Sequence, residues 1–167
     1  KLPAAASFKH VSPAGAALGL SLSEDERRLF FVDAPDVNDS PLACAYARAR
    51  GTDRLSSFGD WIALSDPCDA VTASVIRREV SDGVVAPGYS DEALAILREK
   101  RNGNYAVVRM DPGWEPPLLE RRDVFGVTFE QRRNDAADDP AVFDRPVTRL
   151  RDIPESARRD LTLALLV

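Results

Sequence analysis

The order of apolar and polar positions divides the chain into short elements of alternating type. Ala4 to Lys9 reads as a short buried strand, and Ser12-Pro13 reads as a helix opening, with the hydroxyl as cap and the ring at the first helical position. Ser23-Glu24-Asp25-Glu26 is a capping box with acidic groups in the first turn, followed by apolar Leu29, Phe30 and Val32. Asp33 to Asp39 is loop-forming. Ser40-Pro41 reopens a helix that runs through Ala49 and is expected to close at a left-handed Gly51.

After a turn at Gly59, Trp61 to Leu64 predicts a strand. Asp69 caps a helix reaching about Val80, with Gly83 as its exit and Val84 to Ala86 as the next strand. Ser90 caps a further helix closed near Gly103, and Tyr105 to Met110 is a strand. Pro112 to Pro117 marks a turn, Val124 to Gln131 a strand, Arg133 to Pro146 an Asp-rich loop, and Pro154-Glu155-Ser156 the start of a last helix. The alternation predicts an α/β domain with its sheet between helical layers.

Composition narrows the class. The 167 residues suit one domain, and 44% hydrophobic and 29% charged residues with a net charge of −5 describe a globular protein rather than a basic nucleic-acid binder. Anionic small molecules stay admissible wherever Lys and Arg cluster locally. No apolar run approaches the ~18 residues of a membrane span, and Lys1 to Ala6 lacks the apolar core of a signal peptide, so the expectation is a cytosolic protein without a membrane partner. Cys44 and Cys68, 24 positions apart, fit neither a disulfide framework nor a metal spacing, and both are expected to be reduced. The missing initiator methionine and the apolar closing stretch Leu161 to Val167 give the expectation of a piece of a longer chain.

The strongest chemical signal is Lys9-His10, which places the only histidine beside a lysine at the end of a strand. A base next to a cation suits a reaction that removes a proton while building negative charge on oxygen. The helix expected at Ser12 would add backbone N–H groups pointing at the same region. Adjacent strand residues face opposite ways, so joint action on one substrate requires the backbone to leave strand geometry at His10. As a bare dipeptide, Lys-His is more often surface decoration.

Two further segments invite a ligand. Arg54-Leu55-Ser56-Ser57-Phe58-Gly59-Asp60 combines hydroxyls, an aromatic, a glycine and a carboxylate between a helix and a strand, although a plain turn is the default reading. Asp82, between a helix and a strand, could accept hydrogen bonds from ribose hydroxyls or merely close a turn. Arg48 and Arg50 do not share a helix face and read as solvated or salt-bridged, and Arg121-Arg122 and Arg132-Arg133 as surface charge. Gly15 to Gly19 lacks the pattern of a dinucleotide or P-loop, and His10 and Cys68 lack the partners of a zinc deaminase site.

Taken in order, Ala6 to Ala17, Ala45 to Gly51, Asp53 to Asp60, Arg78 to Gly83, Ala86 to Tyr89 and Asn102 to Tyr105 resemble the formyltransferase part of the bifunctional purine biosynthesis enzymes, which join an aminoimidazole carboxamide ribonucleotide (AICAR) formyltransferase to an IMP cyclohydrolase. The resemblance runs over nearly all of the chain and makes residues 1–167 the first part of that domain. It implies a three-layer α/β/α, cytidine-deaminase-like fold without the zinc site. It also implies formyl transfer from 10-formyltetrahydrofolate to the amine of AICAR in IMP biosynthesis, with no metal and with a homodimer in the full-length protein. His10 matches the proton acceptor and Lys9 the transition-state stabiliser; His10, Gly59 and Asp82 match nucleotide contacts, and Phe58 and Leu55 border the folate. Leu55 stands where relatives often carry methionine, which bears on the fit of the folate ring. The competing expectation is a non-catalytic nucleotide-binding or dimerisation module derived from that enzyme.

Overall fold

Alternating burial along β1 (Ala4–Lys9), with Ala5 and Ser7 inside, sets the two faces of a five-stranded sheet ordered β2-β1-β3-β4-β5. The computed structural model describes residues 1–133 and 140–166 and separates into two units, Lys1–Pro112 and Gly113–Val167. In the first unit β1 is antiparallel to β2 (Ser12–Leu18) and to β3 (Asp60–Leu64), while β3, β4 (Ser81–Ala86) and β5 (Ala106–Arg109) run parallel.

The helix expected at Ser12-Pro13 is not formed. The chain turns back through His10-Val11 and pairs Ser12–Leu18 with β1, with a register shift that leaves Ala14 opposite no residue between Pro13 and Gly15. Two constraints override the cap signal. Pro13 sits on an edge strand beside the bulge, where a missing N–H is tolerated. The small side chains also let a helix lie directly on the strand: a Cβ on Gly15 would come within 2.1 Å of the Ala49 carbonyl oxygen, and one on Gly19 within 2.4 Å of that of Pro41.

That helix is α2 (Pro41–Thr52), opened as expected by Ser40, whose Oγ accepts from the Ala43 N–H at 3.1 Å. Gly51 lies inside α2 and is not its left-handed exit; its Cβ would collide with the Phe30 ring at 2.3 Å, so the glycine serves a close approach. The capping box at Ser23 forms and starts α1 (Glu24–Leu29). Asp69 and Ser90 cap α3 (Ala70–Arg78) and α4 (Asp91–Arg98), which connect the parallel strands β3 to β4 and β4 to β5. Gly83, expected as a helix exit, is inside β4, where the Trp61 ring covers it at 2.5 Å from any added Cβ.

Helices α2, α3 and α4 pack side by side on one face of the sheet, over Ala5, Ser7, Ile62, Leu64, Val84 and Ala86. Tyr46, Ile62, Ile76, Leu97, Val37 and Val84 are fully buried there. Within this unit the three-layer arrangement is therefore reduced to a sheet and one helical layer. The other sheet face carries Phe8, Trp61, Ala63, Val85 and Val108, with Trp61 39% and Val108 44% exposed.

The second unit holds β6 (Leu119–Val124) and β7 (Val127–Arg132), an antiparallel pair where the sequence predicted one strand from Val124 to Gln131. Phe125 and Gly126, with φ of 48° and 82°, form the two-residue turn that splits it. Of the expected Asp-rich loop, residues 134–139 lie outside the described residues, and Pro140–Phe143 is a 3-10 turn. The last helix, α5 (Glu155–Leu166), starts where predicted, and Arg158 pairs with Asp144 at 3.0 Å. Among the described residues no helix is long and apolar enough to cross a membrane, and no group of His, Cys, Asp and Glu could hold a metal. Cys44 and Cys68 are free and buried, and burial pushes the Cys68 thiol up to about 12.

Gly83→Ala forces the Trp61 ring to shift and is expected to cost about 1–3 kcal/mol in denaturant unfolding. Backbone donation by Ser23, then Arg48, lowers the Glu26 carboxyl below its ordinary value. Its contribution is thus present above the unfolded carboxylate pKa of about 4.3 and lost as pH falls through the lower folded value. The difference in Tm between the protein and Glu26→Gln should be largest near neutrality and shrink below about pH 4.

Candidate functional site

β1 delivers Lys9 and His10 to the edge of the sheet where β3 and β4 begin, so the C-terminal end of one strand meets the N-terminal ends of two. His10 is the first residue of the turn and has a φ of 56°. The condition set by strand geometry is met, because the backbone leaves the strand at this residue. Left-handed backbone is uncommon for a non-glycine residue, though histidine is among those enriched there. The imidazole is exposed and has no hydrogen-bond partner among the described residues. With β2 in place of a helix, the helix N-terminus expected at Ser12 is not formed.

Lys9 is held. Its Nζ donates to the Phe58 carbonyl at 2.7 Å and reaches that of Gly59 at 3.5 Å. Gly59 has a φ of 73°, and a Cβ there would lie 3.2 Å from Lys9 Nζ and 3.9 Å from Asp82 Oδ2. Lysine, glycine and aspartate, from three separate segments, thus converge on one spot. Asp82 is the second residue of β4, half-exposed, and pairs with Arg101 at 3.0 Å. Phe58 and Leu55 lie on the adjoining loop with 61% and 92% exposure, and the Phe58 N–H donates to the Leu55 carbonyl at 3.3 Å.

A buried network fixes this loop from below. Arg50 donates to Asp60 Oδ1 at 2.7 Å, to the Ser57 carbonyl at 2.6 Å and to Glu79 Oε2 at 2.8 Å. Ser7 donates to Asp60 Oδ2 at 2.7 Å and contacts Ser57 Oγ at 2.9 Å. Ser7, Ser57 and Asp60 are wholly buried, and Arg50 is 3% exposed. Burial pushes the Asp60 carboxyl up from its ordinary value while Ser7 and Arg50 pull against it. Burial pulls Arg50 down, yet Tyr46, Asp60 and Glu79 outweigh it and leave it raised. Arg54 adds two bonds to Glu79 at 3.0 and 3.1 Å.

Of the two readings the sequence left for Arg50, solvated or salt-bridged, the structure shows the second, and the sequence did not reveal that Arg50, Ser7 and Asp60 lie beneath the loop. One signal was available: Ser7 and Asp60 fall on the buried face of adjacent strands, and a carboxylate buried on such a face requires a cation. The arrangement holds the Lys9 ammonium on two carbonyls near Asp82, with exposed Phe58 and Leu55 on the adjoining loop and His10 exposed at the residue that follows Lys9.

Arg50→Met leaves Asp60 buried without its cation and is expected to cost about 3–5 kcal/mol in denaturant unfolding. Arg50→Met with Asp60→Asn should recover part of that loss; a double variant as unstable as the sum of its parents would show that the two residues are not coupled.

The profile of the AICARFT/IMPCHase bienzyme family matches residues 1–167. Among curated proteins the chain is 36% identical over 132 residues to the bifunctional purine biosynthesis protein PurH of Ruegeria pomeroyi, covering 79% of this chain and 21% of that protein. It is 35% identical to the PurH protein of Cereibacter sphaeroides over the same shares. To that of another Ruegeria species it is 32% identical over 165 residues, covering 99% of this chain and 26% of the relative. The chain thus spans about a quarter of the length of the relatives it matches.

Proposed function

Because the chain belongs to the AICARFT/IMPCHase bienzyme family, we propose that it is the first part of an AICAR formyltransferase domain, moving a formyl group from 10-formyltetrahydrofolate to the amine of AICAR. The observation that carries this reading is the Lys9 ammonium seated on the Phe58 and Gly59 carbonyls, next to a histidine turned out of its strand. The AICAR amine is a weak nucleophile because its lone pair is delocalised into the imidazole ring. His10 accepts the proton as the nitrogen attacks the formyl carbon, a contribution of about 10²–10⁴-fold for a positioned base. The formyl oxygen then carries negative charge that is absent from the ground state and that Lys9 stabilises; collapse of this adduct breaks the bond from the formyl carbon to the folate nitrogen, and tetrahydrofolate leaves with the proton that His10 took up.

Asp82 and Gly59 receive the nucleotide in this proposal, Asp82 as acceptor for ribose hydroxyls and Gly59 by offering backbone without a side chain. The exposed faces of Phe58 and Leu55 suit the flat rings of a reduced folate. A cytidine-deaminase-like sheet is part of the proposal and is supported by the mixed order β2-β1-β3-β4-β5 with β1 reversed. So are the homodimer, the cytosolic setting, the place in IMP synthesis, and the absence of a nucleic-acid, membrane or metal requirement.

His10→Asn keeps a residue that tolerates left-handed backbone while removing the base. In the full-length gene product it should lower formyl transfer by about 10²–10⁴-fold with AICAR binding retained in calorimetry. Unchanged turnover would refute the role assigned to His10. Binding without turnover in the unaltered protein would favour a non-catalytic module.

A further inference from the structure

Asp82 is split between two neighbours. Its Oδ1 accepts from Arg101 Nη1 at 3.0 Å, whereas Oδ2 faces the Gly59 backbone, within 3.9 Å of where a Cβ would stand. Lys9 Nζ approaches that same point at 3.2 Å, yet Lys9 donates to carbonyls and Asp82 pairs with Arg101. A carboxylate with no cation of its own would be drawn to the ammonium across Gly59.

The segment carrying Arg101 is shaped to prevent this. Arg101, Asn102 and Gly103 occupy left-handed backbone in succession, at φ of 52°, 55° and 83°. Asparagine and glycine accept that conformation readily, and arginine does not. Its neighbours anchor the turn on both sides. Lys100 donates to the Glu79 carbonyl and lies 5.0 Å from the centroid of the Tyr105 ring, and the Asn104 N–H donates to the Arg101 carbonyl at 3.1 Å. The guanidinium is consequently aimed from a fixed backbone. The pair is about half exposed, at 53% and 52%, so the core does not depend on it.

We infer that Arg101 is a positioning residue: it holds Asp82 turned toward Gly59 and off the Lys9 ammonium, and thereby sets the capture of a nucleotide's ribose hydroxyls. This rests on the formyltransferase reading above. A single charge-assisted bond is enough for the task, because it occupies one carboxylate oxygen and leaves the other free as acceptor.

The test is calorimetric titration of AICAR into the full-length gene product and its Arg101→Gln, Arg101→Lys, Asp82→Asn and Arg101→Gln/Asp82→Asn variants. Arg101→Gln should weaken binding about three- to five-fold, the range open to an exposed ion pair. Arg101→Lys should restore most of it, and the double variant should bind no more weakly than Asp82→Asn. Arg77→Gln removes the same charge from an exposed pair with Glu99 that does not include Asp82, and should bind as the unaltered protein does. Arg101→Gln binding normally, or a double variant equal to the sum of its parents, or an equal loss in Arg77→Gln, would overturn the inference alone. No AICAR uptake by the unaltered protein would remove the formyltransferase reading and this inference with it.

Discussion

The buried contact between Arg50 and Asp60 is the constraint on which the site depends. Removing two charges from water costs several kcal/mol per ion after relaxation, and the attraction recovers this only when further hydrogen bonds complete both groups. Here they do. Asp60 receives Ser7 and Arg50 on its two oxygens, and Arg50 also reaches the Ser57 carbonyl, the Val80 carbonyl and Glu79. Such a pair adds less to net stability than its contact energy implies. Its structural consequence is larger: β1, α2, the Asp53–Asp60 turns and the start of β4 cannot move independently, and the carbonyls under Lys9 inherit that rigidity.

Packing explains why the helices can approach so closely. Gly15, Gly19 and the run of alanines in β2 and α2 let backbone touch backbone, which brings Arg50 deep enough to meet Asp60. The same closeness removes Gly51 and Gly83 from the roles their residue type suggests, since each leaves room for a ring, Phe30 or Trp61. Glycine marks close approach at Gly15, Gly19, Gly51 and Gly83, and left-handed backbone at Gly59, Gly103 and Gly126.

Those facts also account for what could be read in advance. Caps at Ser23, Ser40, Asp69 and Ser90 were legible because each is a local hydrogen bond completed within three residues. The helix predicted at Ser12 failed because Ser-Pro is equally compatible with an edge strand, and the deciding information lies in the surface of α2, far along the sequence. The Val124 to Gln131 strand failed on Phe125, since an aromatic residue gives no sign of left-handed backbone. Lys9, His10, Phe58, Gly59 and Asp82 were recognisable as candidates, and the first four lie on two segments that the structure brings together. Arg101 was invisible, because nothing in its sequence neighbourhood connects it to a residue on another strand.

The charges at the sheet edge follow one logic. A cation intended to stabilise charge on a reacting oxygen loses that capacity if a carboxylate already neutralises it. Lys9 instead rests on carbonyl dipoles, which orient the ammonium while leaving its full charge, and the nearby carboxylate is occupied by a different cation. The site is therefore not a cluster of salt bridges but a separation of them. That separation is maintained at two depths: Arg50 fixes the carbonyl seat from the core, and Arg101 turns Asp82 aside at the surface. In the proposed reaction, charge developing at this edge meets an ammonium that no carboxylate has already neutralised.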